Sequence, residues 1–180
     1  MNIANKLTLL RMILIPVFIV FFYIDIAYWN YYAALVFIIA ALTDLFDGAL
    51  ARKRNIVTNF GKLIDPIADK LLVCSALILL AAIGWVHELF VIVLVGREFA
   101  VSGFRLLAAA DGKVLAASSL GKMKTIVQIV AVVAVLLQNG IFGVWIVTFG
   151  FVLICISVVL SLVSGADYFI KNKSLVKDMF

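Results

Sequence analysis

The sequence predicts an all-α, polytopic membrane protein with six transmembrane helices. Of its 180 residues, 66% are hydrophobic and only 14% are charged, and the mean hydropathy is +1.23. A water-soluble domain of this length has too little interior to bury so much apolar surface. Lipid must therefore surround much of the chain, and in lipid a helix satisfies its own backbone hydrogen bonds.

Six apolar stretches lie between charged residues, glycines and prolines, most of them near the ~20 residues that cross a bilayer. They run over residues 10–28, 31–51, 63–83, 86–108, 124–138 and 141–169. A short interfacial helix over 2–11 is expected to lead into the first span, with its cations on the headgroup side. The chain has no internal repeat, so 1–180 is predicted to be one domain.

Basic residues mark one end of the predicted bundle. The connections expected at the other end, near 23–33, 84–88 and 138–143, contain no Lys or Arg, whereas all 15 basic residues lie toward the first end. By the positive-inside rule, both termini are expected in the cytoplasm. The net charge of +5 fits this topology and an attraction to anionic lipids, and no nucleic acid partner is expected.

Four aspartates lie at this basic end, on two consecutive helices: Asp44 and Asp47, then Asp65 and Asp69. A carboxylate at membrane depth costs roughly 2.5–3.5 kcal/mol on insertion scales, so such residues usually have a function. With about 100° per residue, each pair occupies one face of its helix. Helices joined by a short loop pack antiparallel, so the two acidic faces can meet.

Small residues accompany the aspartates on these faces. Gly48 and Ala51 share the face on the second helix, and Gly61 shares the face on the third. A surface with so little side chain lets a bulky ligand lie against the backbone beside the carboxylates. Arg52 follows directly and can bind a diphosphate through two parallel hydrogen bonds.

Four carboxylates repel one another unless they are protonated or hold cations. A set of oxygen donors without His or Cys favours Mg²⁺ or Mn²⁺ over zinc. Two such ions would balance the four charges and leave positive field for an anionic substrate. A metal pair of this kind clamps the attacking and leaving oxygens in phosphoryl-type transfer.

Other functions for the acidic cluster remain open. Intramembrane carboxylates often form a proton or cation pathway, but these four cluster at one end and line no route across the bilayer. A structural role, with pairing to Arg52, Lys62 or Lys70, is conceivable for one or two of the acids. An intramembrane prenyltransferase with acidic diphosphate motifs needs more helices than 180 residues provide.

A second polar group occupies the fourth helix and the segment after it. Arg97 and Glu98 lie deep enough in the span to predict an internal ion pair. Arg105, Lys122 and Lys124 either set the topology or bind a second anionic substrate. Gln128, on the fifth span, is expected to face the interior.

The remaining reactive side chains carry little functional signal. Cys74 and Cys155 both fall within predicted spans, where two buried thiols are expected rather than a disulfide. His87, the only histidine, lies beside Glu88 in a connection opposite the aspartates. No catalytic role is expected for it.

The residues from Asp44 to Asp69 resemble the signature of the CDP-alcohol phosphotransferase family. The pattern is Asp-x-x-Asp-Gly-x-x-Ala-Arg, eight residues, then Gly-x-x-x-Asp-x-x-x-Asp, and it is matched without a gap. The bacterial phosphatidylglycerophosphate synthase branch of that family is resembled by four further segments, at residues 2–8, 97–105, 120–125 and 164–168. Ala4 stands where a proline is usual, which relaxes the entry to the first helix and touches no chemistry.

This resemblance implies a homodimeric enzyme of the bacterial cytoplasmic membrane, with its active site on the cytoplasmic side. CDP-diacylglycerol and sn-glycerol 3-phosphate would give phosphatidylglycerol phosphate and CMP in a single displacement. A sister enzyme with another acceptor, such as a cardiolipin synthase, is the alternative within the family. A divalent-cation or proton carrier is the alternative from another class.

The resemblance also implies individual roles. One metal ion would be held by Asp44, Asp47 and Asp65. The other would be held by Asp44, Asp65 and Asp69, and Asp69 would also be the general base. The CDP-diacylglycerol site would be lined by Asn5, Thr8, Gly48, Ala51, Arg52, Thr58 and Gly61. Because the acceptor phosphate carries about two negative charges, fixed cations are expected beside it, and Arg105, Lys122 and Lys124 are the candidates.

Overall fold

The protein is represented by a computed structural model that describes residues 3–54, 59–110, 119–138 and 143–173. These ranges contain six α-helices and no strand, which confirms the all-α prediction. The helices are α1 (Ile3–Val20), α2 (Trp29–Arg54), α3 (Asn59–Ala82), α4 (Glu88–Ala110), α5 (Ser119–Leu136) and α6 (Gly143–Lys171). Each predicted span overlaps one of them.

The first helix differs from its prediction. A separate interfacial helix and a span reaching residue 28 were expected, but α1 is one uninterrupted helix that ends at Val20. Residues 21–28 form a non-helical connection with turns at both of its ends, and Tyr28 has a positive φ of 61° where the chain reverses toward α2. The apolar run continues through this reversal, so hydropathy alone did not locate the helix end.

Two polar residues of α1 with described side chains, Thr8 and Arg11, face protein rather than lipid headgroups. Thr8 and Arg11 are each only 1% exposed, because α1 packs against both α2 and α3. The expectation that the cations of this segment lie on the headgroup side is therefore wrong for Arg11.

Aromatic side chains join the helices at the end of the bundle that lacks basic residues. Phe18 of α1 lies against Phe37 of α2, with 5.7 Å between the ring centroids. Trp29 stacks on Trp85 in the α3–α4 connection at 5.5 Å. Asn30 Nδ2 donates to the Leu136 carbonyl at 2.9 Å, which satisfies an acceptor in the last turn of α5 that has no helical partner.

The α5–α6 pair packs closely because of a glycine. A Cβ added at Gly150 would lie 3.1 Å from Val135 Cγ2 and 3.2 Å from the Val135 nitrogen. Gly150 is itself buried. The contact fixes the antiparallel register of the two helices, since Val135 and Gly150 face each other across the seam.

Replacing Gly150 by Leu is expected to lower the free energy of unfolding by about 1–3 kcal/mol, because the added side chain must push α5 and α6 apart. The measurement is thermal unfolding of the purified protein in detergent. Gly103→Leu is the matched control, because it makes the same change at a glycine where an added Cβ meets nothing within 4 Å. An equal loss of stability in both variants would show that the close contact at Gly150 is not what matters.

Two of the described helices, Ser119–Leu136 and Gly143–Lys171, are long and apolar enough to cross a membrane. The most apolar window of the longer one is only 22% buried. The outer face of α6 exposes large apolar side chains, among them Phe151, Val159 and Leu162, and contiguous surface of this kind normally contacts protein or membrane. Six spans and their orientation stay predictions.

Candidate active site at the basic end of the bundle

The helices predicted to carry the aspartates are present. α2 extends through positions 44 and 47, and α3 extends through positions 65 and 69. The two helices also pack against each other. The spacing on which the two acidic faces depend is therefore α-helical, as expected.

The side chains of Asp44, Asp47, Asp65 and Asp69 lie outside the part of the chain that the structure describes. Their convergence and their role as metal ligands stay predictions. The donor set itself, carboxylate oxygens alone, has the chemistry that Mg²⁺ and Mn²⁺ prefer.

Most of the predicted CDP-diacylglycerol site also falls outside the described side chains. This holds for Asn5, Gly48, Ala51, Arg52, Thr58 and Gly61. Thr8 is described, and it is buried. Counting equal numbers of residues from the Phe18–Phe37 contact along two antiparallel helices places Thr8 at the level of Asp47. A buried hydroxyl at that level is consistent with a place beside the substrate.

The predicted interior ion pair between Arg97 and Glu98 is present, and Lys124 joins it as a third member. Arg97 Nη1 donates to Glu98 Oε1 at 2.9 Å, and Lys124 Nζ donates to the same oxygen. The three side chains are 13%, 20% and 2% exposed. The Glu98 carboxylate is therefore the counter-charge of two largely buried cations, and without it both would be left buried and unpaired.

The same group reaches α6. Arg97 Nη2 donates to Ser164 Oγ at 2.8 Å, and Gly165 leaves the space that Arg97 occupies, since a Cβ there would lie 3.3 Å from Arg97 Cγ. We call Arg97, Glu98, Lys124 and Ser164 the three-helix polar cluster, because it ties α4, α5 and α6 together.

Two more polar side chains line the seam between α5 and α6. Gln128 is 2% exposed and Ser161 is fully buried, so the prediction that Gln128 faces the interior is confirmed. Gln128 Nε2 and Ser161 Oγ have no hydrogen-bond partner among the residues described. Counted from the Val135–Gly150 contact, Ser161 lies opposite Lys124, so both residues extend the three-helix polar cluster.

Arg105 lies nearer the basic end and has a different kind of partner. Its Nε donates to the Tyr168 hydroxyl of α6 at 3.1 Å, and its guanidinium carbon is 5.2 Å from the centre of the Tyr168 ring. Arg105 and Asp65 are equally far along α4 and α3 from the connection between these helices. They therefore lie at a similar level of the bundle.

The structure does not bring the three predicted acceptor-binding cations together. Lys124 pairs with Glu98, whose backbone lies about 10 Å along α4 from that of Arg105. Lys122 is exposed, and two residues along a helix turn the side chain roughly 200° away from Lys124. Arg105 is the candidate that lies near the level of the aspartates and stays half-exposed.

Other sequence predictions have clear outcomes. Both cysteines, which lie within the described ranges, are free thiols; Cys74 is buried as predicted, whereas Cys155 is only partly buried. His87 and Glu88 are exposed at the opposite end, 3.5 Å apart. A cavity of about 340 Å³ lies beside them, lined mainly by apolar side chains such as Trp85, Phe90 and Phe151. This cavity is thus at the opposite end of the bundle from the residues to which chemistry is assigned.

Comparison with known proteins gives similarity along nearly the whole chain. The profile of the CDP-alcohol phosphatidyltransferase family matches residues 1–163. A Bacillus subtilis (strain 168) protein named CDP-diacylglycerol–glycerol-3-phosphate 3-phosphatidyltransferase is 44% identical, covering 98% of this chain and 97% of that protein. Proteins of the same name from Rickettsia typhi and Shigella flexneri serotype 5b are 39% and 40% identical, each over 93% of this chain and over 95% and 92% of their own.

Proposed function

The chain belongs to the CDP-alcohol phosphatidyltransferase family, and on that premise we propose that it is a CDP-diacylglycerol–glycerol-3-phosphate 3-phosphatidyltransferase. It transfers the phosphatidyl group of CDP-diacylglycerol to sn-glycerol 3-phosphate and releases CMP. The observation that carries this assignment is the similarity to relatives of that name over nearly the full length of both chains. The complete aspartate motif from Asp44 to Asp69 supports it.

The reaction is a single displacement at the phosphorus of the phosphatidyl group. The acceptor hydroxyl oxygen forms a bond to that phosphorus, and the bond from phosphorus to the CMP oxygen breaks. Asp69 takes the proton of the attacking hydroxyl, which requires the carboxylate to lie within hydrogen-bond reach of it. No second nucleophile is needed.

The family generally uses divalent metal ions. We assign their ligands to Asp44, Asp47, Asp65 and Asp69, two ions per site, with Mg²⁺ or Mn²⁺ as the cations that an all-carboxylate set prefers. When bound, such ions neutralise charge on the transferring phosphate and on the departing CMP. Arg52 and the small residues Gly48, Ala51 and Gly61 would accommodate the diphosphate beside the aspartates.

The remaining substrate contacts follow from position. Asn5 and Thr8 on α1 and Thr58 after α2 would contact the CDP-diacylglycerol headgroup. Arg105, half-exposed and near the level of Asp65, is the first choice for the acceptor phosphate. Lys122 stays the second candidate for this phosphate, although the structure does not bring it together with Arg105. Lys124 would contribute positive field from its place beside Glu98.

Both substrate chemistry and composition favour a site at a membrane surface. CDP-diacylglycerol is a lipid, and the basic residues cluster at the end of the bundle where the aspartates lie. Six spans with both termini in the cytoplasm put this end at the inner leaflet of the cell membrane. We further propose a homodimer, as in the family that the sequence resembles.

The activity is tested by CMP release from purified protein with Mg²⁺, CDP-diacylglycerol and a panel of acceptors. Release is expected with glycerol 3-phosphate and not with serine, inositol phosphate or phosphatidylglycerol. Release with phosphatidylglycerol would instead make the protein a cardiolipin synthase. No CMP release with any acceptor, together with cation or proton flux into liposomes, would make it a carrier.

A further inference from the structure

Arg105 has no carboxylate partner among the residues that the structure describes, unlike three other basic residues of α4, α5 and α6. Arg97 and Lys124 both pair with Glu98, and Lys171 pairs with Asp167 at 2.9 Å. Within the described residues, the partner of Arg105 is the neutral hydroxyl and ring of Tyr168. These contacts hold the guanidinium in place, and no described carboxylate neutralises its charge.

Tyr168 is itself rigidly placed. It is 4% exposed and belongs to a small buried group with Val101, Phe104 and Ala108. The Phe104 ring meets its ring edge-on, with 6.0 Å between the centroids. Asn172 Nδ2 donates to its backbone carbonyl at 2.7 Å, which secures the last turn of α6. Because its ring and backbone are held by these contacts, Tyr168 can in turn hold the Arg105 guanidinium in one orientation.

The hydrogen bond uses one particular edge of the guanidinium. Nε donates to the Tyr168 hydroxyl, while neither Nη atom donates to any residue that the structure describes. The two Nη groups form the fork that binds phosphate or carboxylate oxygens in pairs. Tyr168 therefore fixes the plane of the guanidinium, and no described residue occupies the two Nη groups of the fork.

We propose that Tyr168 is a positioning residue for the acceptor: it orients the Arg105 guanidinium so that the fork receives the phosphate of glycerol 3-phosphate. This inference rests on the proposed function, and it adds a specificity element on α6, the helix farthest in sequence from the aspartates. Holding the fork in advance lowers the ordering cost that a flexible arginine incurs on binding. Acceptors without a phosphate gain nothing from it.

The experiment measures steady-state CMP release by Tyr168→Phe, which keeps the ring and removes the hydroxyl. The KM for glycerol 3-phosphate is expected to rise about 3- to 10-fold, the factor that one hydrogen bond is worth. The KM for CDP-diacylglycerol and kcat should stay within about twofold, because the hydrogen bond acts on binding rather than on the chemical step. The inhibition constant of inorganic phosphate, used as a competitive inhibitor, should rise by the same factor as the KM for glycerol 3-phosphate.

A double-mutant cycle separates positioning from a general structural effect. In the background Arg105→Gln, Tyr168→Phe should change the KM for glycerol 3-phosphate by less than about twofold, since it has no guanidinium left to orient. Tyr32→Phe is the matched control: this tyrosine is half-exposed on α2, and its hydroxyl has no hydrogen bond among the described residues. It should leave both KM values unchanged.

Two results would overturn the inference while leaving the activity in place. One is an unchanged KM for glycerol 3-phosphate in Tyr168→Phe. The other is an equal increase with and without Arg105, which would mean that Tyr168 supports the fold alone. A lower thermal midpoint of Tyr168→Phe, together with equal increases in the KM for both substrates, would also mean that Tyr168 supports only the fold. A wild type that releases no CMP with glycerol 3-phosphate overturns the proposed function itself.

Discussion

Replacing Asp44 by Asn is expected to reduce CMP release by a factor on the order of 10³, the loss that follows removal of a group stabilising charge in the transition state. The substitution keeps the shape of the side chain and removes its charge, and Asp44 is assigned to both metal ions. The effect should appear in kcat as well as in kcat/KM, because the interaction strengthens as charge develops on the departing CMP. The measurement is CMP release at saturating Mg²⁺ and Mn²⁺ in turn.

Asp25→Asn is the matched control for this experiment. Asp25 is exposed in the turn between α1 and α2, at the end of the bundle away from the basic residues. The same change of charge there should leave turnover unaltered. If Asp44→Asn kept more than about a tenth of wild-type turnover, Asp44 could not be a shared metal ligand of the reaction.

Replacing Glu98 by Gln is expected to lower the free energy of unfolding by about 3–5 kcal/mol, the cost of leaving a buried charge without its partner. Glu98 is the common partner of Arg97 and Lys124, and Lys124 is only 2% exposed. Neither cation can return to water without separating α4, α5 and α6. Thermal unfolding in detergent measures the effect.

A surface pair gives the comparison for Glu98. Asp167→Asn breaks the contact with Lys171, whose side chain is 68% exposed, and pairs of this kind contribute at most about 1 kcal/mol. The double variant Glu98→Gln with Lys124→Met should recover part of the stability that Glu98→Gln loses, because one of the two stranded cations is gone. Equal stability of the Glu98 and Asp167 variants would mean that the three-helix polar cluster is not a buried charge network.

The sequence predicted the helices because hydropathy and charge alternate clearly along the chain. Arg97–Glu98 and Gln128 were placed correctly in the interior, since polar side chains in an apolar span turn toward protein. The end of α1 was missed because the apolar run continues through the turn at 21–28. The burial of Arg11 was missed for a related reason: it depends on α2 and α3 covering α1, which no local pattern encodes.

The partners of the cations could not be derived from the sequence either. Lys124 and Arg105 look alike as basic residues near helix ends, yet one is paired with Glu98 and the other with Tyr168. A signal was present on α6, where Ser157, Ser161, Ser164 and Tyr168 recur at helical spacing in an otherwise apolar segment. Such a stripe indicates a face turned toward other helices, but it does not name the residue it will meet.

For the aspartates, the sequence predicts the chemistry of the site better than its geometry. Their spacing and their residue types predict one site on α2 and α3, and similarity along the chain agrees with the activity that this site would support. Whether four carboxylates share two ions depends on side-chain positions within about an ångström. Helical spacing determines faces and not distances of that kind.

Binding of Mn²⁺ to the purified protein, counted by electron paramagnetic resonance, tests the central claim most directly. Two ions per chain are expected for the wild type, with Asp69→Asn retaining affinity better than Asp44→Asn, since Asp44 is assigned to both ions and Asp69 to one. The variant with all four aspartates changed to Asn should bind none at these sites. Unchanged Mn²⁺ binding in that variant, or equal affinity in the two single variants, would contradict the assignment.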